Sequence, residues 1–355
     1  MGNTRKGSLM NADKHKPERV FFNKKDVAEL SRKDIAGYLS EEQFELILNQ
    51  CKILAFKPSS QIVKQGTLPK GVYLIMNGEV EISARVLGEG NTKIDTLGPG
   101  GIIGGISFID KSPSPISAVA KSKVTCIYIS LVYFDFLNAI DPDAKYKITK
   151  AINKQLCKNM KRTHDQAVKY ISKSDMVGLS FIGRALHSVT EPSVIPVIGE
   201  DDENLMALLQ TPLLNIFTSD EKKELIEHSE FLKAPKNCIL IEESDKTASC
   251  FIVLHGAVQS SILQHSKLAK LSVIGPGSLF AAIGCIDKKS KFTVSFITCE
   301  TAVLFRLSEH HLNYFKNNKP ILWYKLFSLI SQSLVALGKS VNKLDVRLHI
   351  ETYNR

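Results

Sequence analysis

The 355-residue sequence has little of what marks a secreted or membrane-spanning protein. Its seven cysteines are scattered and odd in number, and none forms a C-x-x-C pair, which favours reduced thiols over a disulfide framework. No run of about 18 unbroken apolar residues is present, so we expect no transmembrane segment. The N-terminal region is polar and basic, without the apolar core of a secretory signal peptide. These features together predict a cytoplasmic protein.

Signs of an enzyme are also missing from the sequence. It has no Ser/His/Asp grouping with recognisable spacing and no cluster of residues with metal-ligand spacing. The pair His310-His311 stands alone and is more typical of a solvated helix than of a site. We therefore expect no enzymatic activity, no catalytic residues and no metal.

What the sequence does contain is an internal repeat. The stretch Leu97-Gly98-Pro99-Gly100 recurs as Ile274-Gly275-Pro276-Gly277, and the same gapless register matches Ile127-Tyr128 to Leu304-Phe305. Upstream, the run from Tyr73 to Gly78 matches the run from Phe251 to Gly256, one residue out of that register. Self-similarity over about a hundred positions indicates a tandem duplication.

Each copy has the same order of predicted elements. A capped helix (Ser40 to Gln50; Ser219 to His228) precedes short β-branched and aromatic runs, and helical periodicity closes the copy at Asp143–Ile171 and Pro320–Leu348. This predicts a mainly β fold with flanking helices (α+β), built as two β-roll (jelly-roll) domains in tandem. We expect a basic, flexible tail at 1–33, a first domain at 34–173, a linker at 174–208 and a second domain at 209–355.

The two closing helices also suggest surfaces. Nine Lys and Arg residues against two acids between Asp143 and Lys173 form either a solvated face or a stripe that binds phosphates or an acidic partner. The last helix carries an apolar stripe, which packs on its own domain or, alternatively, forms a homo-oligomer interface. The stripe consists of Leu322, Leu326, Ile330, Leu334, Leu337, Val341, Leu344 and Leu348.

The ordered motifs of the repeat resemble the cyclic-nucleotide-binding family, which includes the catabolite activator and the regulatory subunits of protein kinase A. The resemblance is carried by Ile62 to Gly66, by Gly71 to Val80 and by Gly98-Pro99-Gly100. It implies a helix, an eight-stranded roll and a closing helix in each copy. In that family a Gly-Glu-Leu-Ala turn and, about ten to twelve residues later, an arginine form the phosphate cassette. There the Glu accepts from the ribose hydroxyl, and the Arg pairs with the cyclic phosphate.

Both candidate cassettes depart from that pattern. The first copy has Gly104-Gly105-Ile106-Ser107, and its arginine position falls on Ser114, or on Ile116 (next to Ser117) if a residue is inserted. The second copy has Ala281-Ala282-Ile283, and its arginine position falls on Lys291, or on Phe292 if the alignment follows Thr293-Val294. Either the rolls are structural and bind no nucleotide, or they bind an anion with altered preference. In the second case Lys291, near Lys288 and Lys289, makes the second copy the better candidate.

The ends of the chain complete the functional expectation. Arg5-Lys6-Gly7-Ser8-Leu9 is similar to a basophilic-kinase site, and kinase regulatory subunits carry an inhibitor sequence of this type before their two rolls. The residues after Lys319 are used by the closing helix, so we expect no DNA-binding domain. We predict a non-enzymatic regulatory or sensor protein with weak, altered or no binding of cAMP or cGMP. The alternative is a protein-interaction scaffold that mimics a kinase regulatory subunit, with a kinase or signalling protein as partner.

Overall fold

The computed structural model describes residues 17–19, 39–86, 90–173, 191–196, 202–264, 267–286 and 291–353. The chain divides into two units, Met1–Gln155 and Leu156–Arg355. The division falls inside the first closing helix, and each unit is described here by itself. The kinase-like motif at Arg5, Lys6 and Ser8 lies outside the described residues, as do Lys288 and Lys289.

The described elements up to the first closing helix follow the predicted order of helix, roll and helix. In chain order they are β1 (Glu18–Arg19), α1 (Glu41–Gln50), β2 (Lys52–Phe56), β3 (Gln61–Val63), β4 (Gly71–Asn77), β5 (Val80–Val86), β6 (Gly90–Leu97), β7 (Ile102–Ile103), α2 (Gly105–Asp110), β8 (Ser117–Ala120), β9 (Val124–Ser130), α3 (Leu131–Ile140) and α4 (Pro142–Lys173).

The second copy repeats this order. It contains β10 (Ser193–Ile195), α5 (Glu203–Leu209), a 3₁₀ helix (Pro212–Ile216), α6 (Ser219–Glu227), β11 (Glu230–Ala234), β12 (Ile239–Ile241), β13 (Cys250–His255), β14 (Val258–Gln264), β15 (Lys267–Ile274), β16 (Leu279–Phe280), α7 (Ile283–Ile286), β17 (Ser295–Thr298), β18 (Ala302–Leu307), α8 (Glu309–Asn318) and α9 (Pro320–Tyr353).

Each roll is made of two antiparallel sheets with the same strand order. In the first roll the orders are β1-β2-β9-β4-β7 and β3-β8-β5-β6, and in the second they are β10-β11-β18-β13-β16 and β12-β17-β14-β15. The inner faces of the first roll enclose an apolar core that includes Ile75, Val80 and Ile103. In a second core, α1, α3 and the start of α4 pack against the sheet β1-β2-β9-β4-β7, and this core includes Phe108, Phe134 and Ile148. The predicted fold class, two tandem β-rolls with flanking helices, is confirmed.

Local chemistry explains why the helices begin where the sequence predicts. Ser40 and Thr218 each cap a helix with their side chain, and the third helical residue, Gln43 or Glu221, returns a hydrogen bond to the cap. Such capping boxes satisfy two backbone N–H groups that would otherwise lack partners. Ser130 and Ser308 cap the helices that follow each roll through their side-chain oxygens, which accept from the backbone N–H groups of Tyr133 and His311.

Two parts of the chain differ from the sequence-based expectation. Glu18–Arg19 lies within the predicted flexible tail but forms strand β1, because it pairs with Leu54 and Ala55 at an open sheet edge. The predicted linker, expected to contain at most one short helix, contributes strand β10, which pairs with β11 in the same manner, as well as helix α5. Each first sheet is therefore extended by a strand that the sequence pattern did not indicate.

The apolar stripe of α9 is buried inside the second unit. Every predicted stripe residue from Leu322 to Leu344 is buried, so the stripe packs on its own domain and is not available as a homo-oligomer interface. The segment Pro320–Leu344 is long and apolar enough to cross a membrane, but 61% of its most apolar window is buried within the protein. A helix in the core of a domain is long, apolar and mostly buried in the same way, so these properties alone are weak evidence of a membrane span.

Candidate functional site

The structure decides which residues of the two copies are equivalent. Most elements are related by a shift of 178 residues: Ser40 to Thr218, Gly78 to Gly256 and Ser130 to Ser308. The cassette itself is related by 177, because Gly104 and Ala281 occupy the same turn with φ of +86° and +67°. The second copy is therefore one residue shorter than the first before the cassette and has one inserted residue between the cassette and the next strand.

This insertion corrects the gapless register that the sequence suggested downstream of the cassette. In the first roll Ile127 pairs with Ile53, and in the second Phe305 pairs with Phe231. Ile127 is thus equivalent to Phe305, and the match of Ile127-Tyr128 to Leu304-Phe305 is wrong by one residue. A single inserted residue in a loop leaves the motifs on both sides intact, so the sequence alone could not locate it.

Backbone hydrogen bonds show which residue of the second copy is equivalent to Ser114, one of the two positions predicted for the family's arginine. Ser114 accepts from the N–H of Gly66 at 2.8 Å and donates its own N–H to the carbonyl of Thr67 at 2.9 Å. In the second roll Phe292 makes the same pair of bonds, accepting from Ser244 at 2.8 Å and donating to Asp245 at 3.0 Å. Ser114 and Phe292 are equivalent, and neither is a cation.

Lys291 lies outside this position. Its side chain is exposed, whereas Phe292 is 1% exposed and packs edge-on against Phe296 with ring centroids 6.2 Å apart. The gapless match of Lys291 to Ser114 is therefore not the one that the fold adopts. The alternative alignment, with Phe292 in that position, agrees with the backbone hydrogen bonds.

In the first cassette the Glu position is already filled by the closing helix. A Cβ atom on Gly105 would lie only 2.7 Å from Cγ2 of Ile152 on α4. A glutamate side chain at this position would collide with Ile152, whose own side chain is 2% exposed. Gly104 provides the left-handed turn before α2, a conformation that glycine adopts without strain.

Among the predicted polar side chains of the first cassette, Ser107 and Ser114 are buried and Ser117 is half-buried, and two of the three make hydrogen bonds within the roll. Ser114 Oγ donates to the carbonyl of Ile116 at 2.8 Å, and Ser117 Oγ accepts from the N–H of Gln65 at 3.0 Å. Ser107 Oγ is buried and has no hydrogen-bond partner among the described residues. Ile106 and Ile116 are half-buried. The Ser107 hydroxyl and backbone N–H groups therefore remain at this cassette, and neither Gly105 nor Ser114 supplies a charged side chain.

The second cassette is packed more tightly than the first. Its predicted residues Ala281, Ala282 and Ile283 are each at most 2% exposed. A Cβ atom on the next residue, Gly284, would lie 1.7 Å from the carbonyl oxygen of Thr247, so the preceding loop lies directly on helix α7.

Side chains near this second cassette are also buried or half-buried. Cys285 Sγ donates to the carbonyl of Ala248 at 2.9 Å, and a hydrogen bond with Cys250 together with burial holds the pKa of the Cys285 thiol well above its usual range. Thr293 Oγ1 is buried and has no partner among the described residues. Close packing rather than a polar pocket characterises this cassette.

Each closing helix holds the strand that precedes its cassette. Gln155 on α4 accepts from the N–H of Ile102 at 2.8 Å and donates to the carbonyl of the same residue at 3.0 Å. Ser333 on α9 donates to the carbonyl of Leu279 at 2.7 Å. Because β7 and β16 are edge strands, these bonds pair backbone groups that no neighbouring strand reaches. A pattern search for ligand-binding residues does not find them, since Gln and Ser are unremarkable in a helix.

The basic run of α4 is not one continuous cationic face. Lys147 pairs with Asp143 at 2.7 Å, and Lys145 lies over the ring of Phe134 at 5.1 Å, where burial lowers its pKa. Lys158 and Lys161 are exposed. The lysines in the first part of the stripe therefore make contacts within the domain. The second part agrees with the prediction of a solvated helix face.

Comparisons with known proteins agree with the fold. The family model of the cyclic nucleotide-binding domain matches residues 53–139 and 231–318. A curated relative, the potassium channel AKT2 of Oryza sativa subsp. japonica, is 22% identical over 206 residues, which is 57% of this chain but only 23% of the channel. The chain thus spans about a quarter of the length of this curated relative.

Three solved structures illustrate the range of similar proteins. The regulatory domain of Toxoplasma gondii PKA with cAMP is 13% identical, with 86% of this chain and 94% of that chain covered and a TM-score of 0.31. The regulatory subunit of a cAMP-independent protein kinase A from Trypanosoma cruzi, bound to guanosine, is 11% identical, with 86% and 89% covered and a TM-score of 0.29. The Thermus thermophilus catabolite activator protein is 20% identical, with 39% and 69% covered and a TM-score of 0.32. At these scores the likeness supports no ligand or partner assignment.

Proposed function

Because this chain carries two cyclic nucleotide-binding domains in tandem, we propose that it is a non-enzymatic regulatory protein whose domains bind cAMP and cGMP weakly or not at all. One observation supports the proposal: the same pair of backbone hydrogen bonds makes Ser114 and Phe292 equivalent, and neither residue is a cation. A charge-assisted hydrogen bond contributes about 1.5–3 kcal/mol, so the loss of the Arg and Glu contacts weakens binding by about two to four decades.

The closing helices are the elements through which such a protein would signal. The side chains of Gln155 on α4 and Ser333 on α9 form hydrogen bonds with the backbone of the strands that precede the cassettes. In one state of each domain these hydrogen bonds are formed, and in the other they are broken and the helix is released. A ligand or a partner that binds the released state more tightly would shift the population toward it. We propose that this helix position, rather than a chemical reaction, is the output of each domain.

The decisive measurement is isothermal titration of the full chain with cAMP and with cGMP. We expect dissociation constants in the millimolar range or no detectable heat, and a low-micromolar constant for either nucleotide would overturn the proposal.

A gain-of-function variant tests the reasoning at the first cassette. The variant Gly105→Glu, Ser114→Arg, Ile152→Ala restores both polar contacts and removes the side chain that blocks the glutamate. We expect it to bind at least about tenfold more tightly than the wild type. The matched control carries Ser114→Ala with the other two changes, so it differs only in the guanidinium. Equal affinity of the two variants would contradict the assignment of Ser114, provided that both unfold cooperatively on heating.

A scaffold function is the second candidate, and the close packing of the second cassette favours it. Ala281, Ala282, Ile283 and Phe292 leave little open volume there, as expected for a roll that serves only as a fold. One form of this hypothesis is a kinase regulatory-subunit mimic that docks through Arg5 to Leu9. Pull-down with a kinase catalytic subunit, with and without residues 1–12, tests this form, and equal recovery would exclude it.

A further inference from the structure

Helix α3 of the first domain displays apolar side chains to solvent. Val132, Phe136 and Ile140 are 82%, 57% and 55% exposed, and their spacing of four residues places them along one face of the helix. The opposite face is occupied by Phe134 and Leu137, which are buried in the core. The helix is therefore apolar on both sides, although only one side packs.

A fourth exposed apolar residue comes from helix α1. Leu46 is 60% exposed. One turn before it, Gln43 donates its amide to the carboxylate of Asp141, the residue that ends α3, at 3.1 Å. Contact between Gln43 and Asp141 brings this face of α1 against the end of α3 that carries Ile140.

The second domain shows that these positions adjoin. With the shift of 178 residues, Leu46 corresponds to Glu224 and Phe136 to Tyr314, and the Tyr314 hydroxyl donates to Glu224 Oε1 at 2.9 Å. Both pairs of helices have the same caps and lengths within one residue, so the geometry carries over. Leu46, Val132, Phe136 and Ile140 form one surface, which we call the α1–α3 patch.

The same comparison shows that the fold does not need apolar residues here. The second domain has His310, Tyr314 and Asn318 where the first has Val132, Phe136 and Ile140. Scattered exposed hydrophobic residues need no explanation, but four that adjoin make a patch of roughly 400 Å², within the range of functional patches on monomers. Burial within the first domain does not account for the patch.

The area and the charge around the patch indicate its occupant. A stable dimer buries about 800 Å² on each partner, roughly twice what the patch offers, whereas a helix that docks through residues at i and i+4 needs only a few anchors. Helix α1 carries Glu41, Glu42 and Glu45, all exposed, and no ion pair joins them to a described residue. Neither α1 nor α3 contains Lys or Arg, although the whole chain has a net charge of +10. Lysines from other elements contact these helices, but Lys111 pairs with Asp135 and Lys147 pairs with Asp143, so neither of these neutralises the acids of α1.

We propose that the α1–α3 patch docks a basic amphipathic helix of a protein partner. The apolar face of that helix would cover Phe136 and its neighbours, and its Lys or Arg residues would meet the acids of α1. The proposal is independent of nucleotide binding, because the patch lies on elements outside the cassettes.

The test uses the full chain and a fluorescein-labelled 14-residue helical peptide of Leu and Lys, followed by fluorescence anisotropy. We expect saturable binding in the micromolar range, and weaker binding of a peptide in which Glu replaces every Lys. The variant Val132→His, Phe136→Tyr, Ile140→Asn should weaken binding at least about tenfold, since it installs residues that the second domain already accommodates. The matched control is Val273→Thr, because Val273 is 67% exposed but lies in the second domain.

A second variant keeps the test valid if the triple variant folds poorly. Glu42→Lys with Glu45→Lys alters only exposed side chains and should also weaken binding of the Lys peptide. The proposal is overturned if binding does not saturate, or if the Val273→Thr control loses as much affinity as the patch variants. Two other results would overturn the proposal by identifying a different occupant. If light scattering shows a dimer of the wild type and a monomer of the triple variant, the patch binds a second copy of this chain. If the chain binds vesicles of phosphatidylserine and phosphatidylcholine and the triple variant does not, the patch binds a membrane.

Discussion

Replacement of Phe292 by alanine separates the two possible assignments of the second cassette. If Phe292 stands at the arginine position and fills the roll, as its hydrogen bonds with Ser244 and Asp245 indicate, then its ring is part of the core. If Lys291 held that position, the ring would be dispensable and the lysine would matter. Adjacent residues thus give opposite outcomes under the two assignments.

The expected magnitude follows from burial. Phe292 is 1% exposed and contacts Phe296, so Phe292→Ala removes a whole aromatic side chain from a closed interior. Large-to-small changes of this kind cost about 3–5 kcal/mol, a large part of the ~5–15 kcal/mol that holds a domain folded. Lys291→Ala changes an exposed side chain and should stay within about 0.5 kcal/mol.

The assay is urea unfolding followed by tryptophan fluorescence. Trp323 is the single tryptophan of the chain, lies on α9 and is buried, so its emission reports the second domain. A loss below about 1 kcal/mol for Phe292→Ala would refute the placement of this residue in the core. If Lys291→Ala also abolished measurable nucleotide binding, the gapless alignment would be correct after all.

Two further predictions concern the second unit, which runs from Leu156 to Arg355. Gly284→Ala should destabilise it by about 1–3 kcal/mol or more, because the new methyl group meets the carbonyl of Thr247 at 1.7 Å, whereas Gly275→Ala has open space and should be neutral or slightly stabilising in the same urea assay. The pKa of His164 is raised above 6.5: burial opposes the charged form, but Glu243, 2.9 Å from Nε2, and a neighbouring carboxylate outweigh it. The stabilisation is therefore complete below pH 6.5 and lost as the pH rises through the folded-state pKa, so the stability difference between wild type and His164→Gln should shrink from about pH 6 to about pH 8; a difference that grows would contradict this sign.

Local signals in the sequence predicted much of the fold. The caps at Ser40 and Thr218 are short-range hydrogen-bond patterns, so the starts of α1 and α6 follow from a few residues each. Glycine at the equivalent positions 78 and 256 is another local signal, because both residues take a positive φ and have a carbonyl oxygen close to where a Cβ atom would lie. The duplication added confirmation, because each local signal occurs twice in the same order.

The site was less predictable because it depends on register and on packing between distant segments. Gly105 reads as the loss of a glutamate, but only the structure shows that Ile152 takes its place. Likewise, the sequence of α3 does not reveal which face of the helix packs, since both faces carry apolar residues. The structure shows that Phe134 is buried and Phe136 is exposed. The sequence pattern therefore identifies candidate residues, but the contacts between distant segments determine which of them are buried and which are exposed.

The two domains lack the arginine in ways that have different consequences. Ser114 bonds to the carbonyl of Ile116, so the first roll keeps a small side chain that an arginine can replace once Ile152 yields. Phe292 fills the second roll, and an arginine there would bury a guanidinium without a partner, at a cost of several kcal/mol. We therefore expect an arginine to restore binding in the first domain and not in the second. Since the α1–α3 patch also lies in the first domain, any coupling between a ligand and the proposed helical partner would arise within that domain.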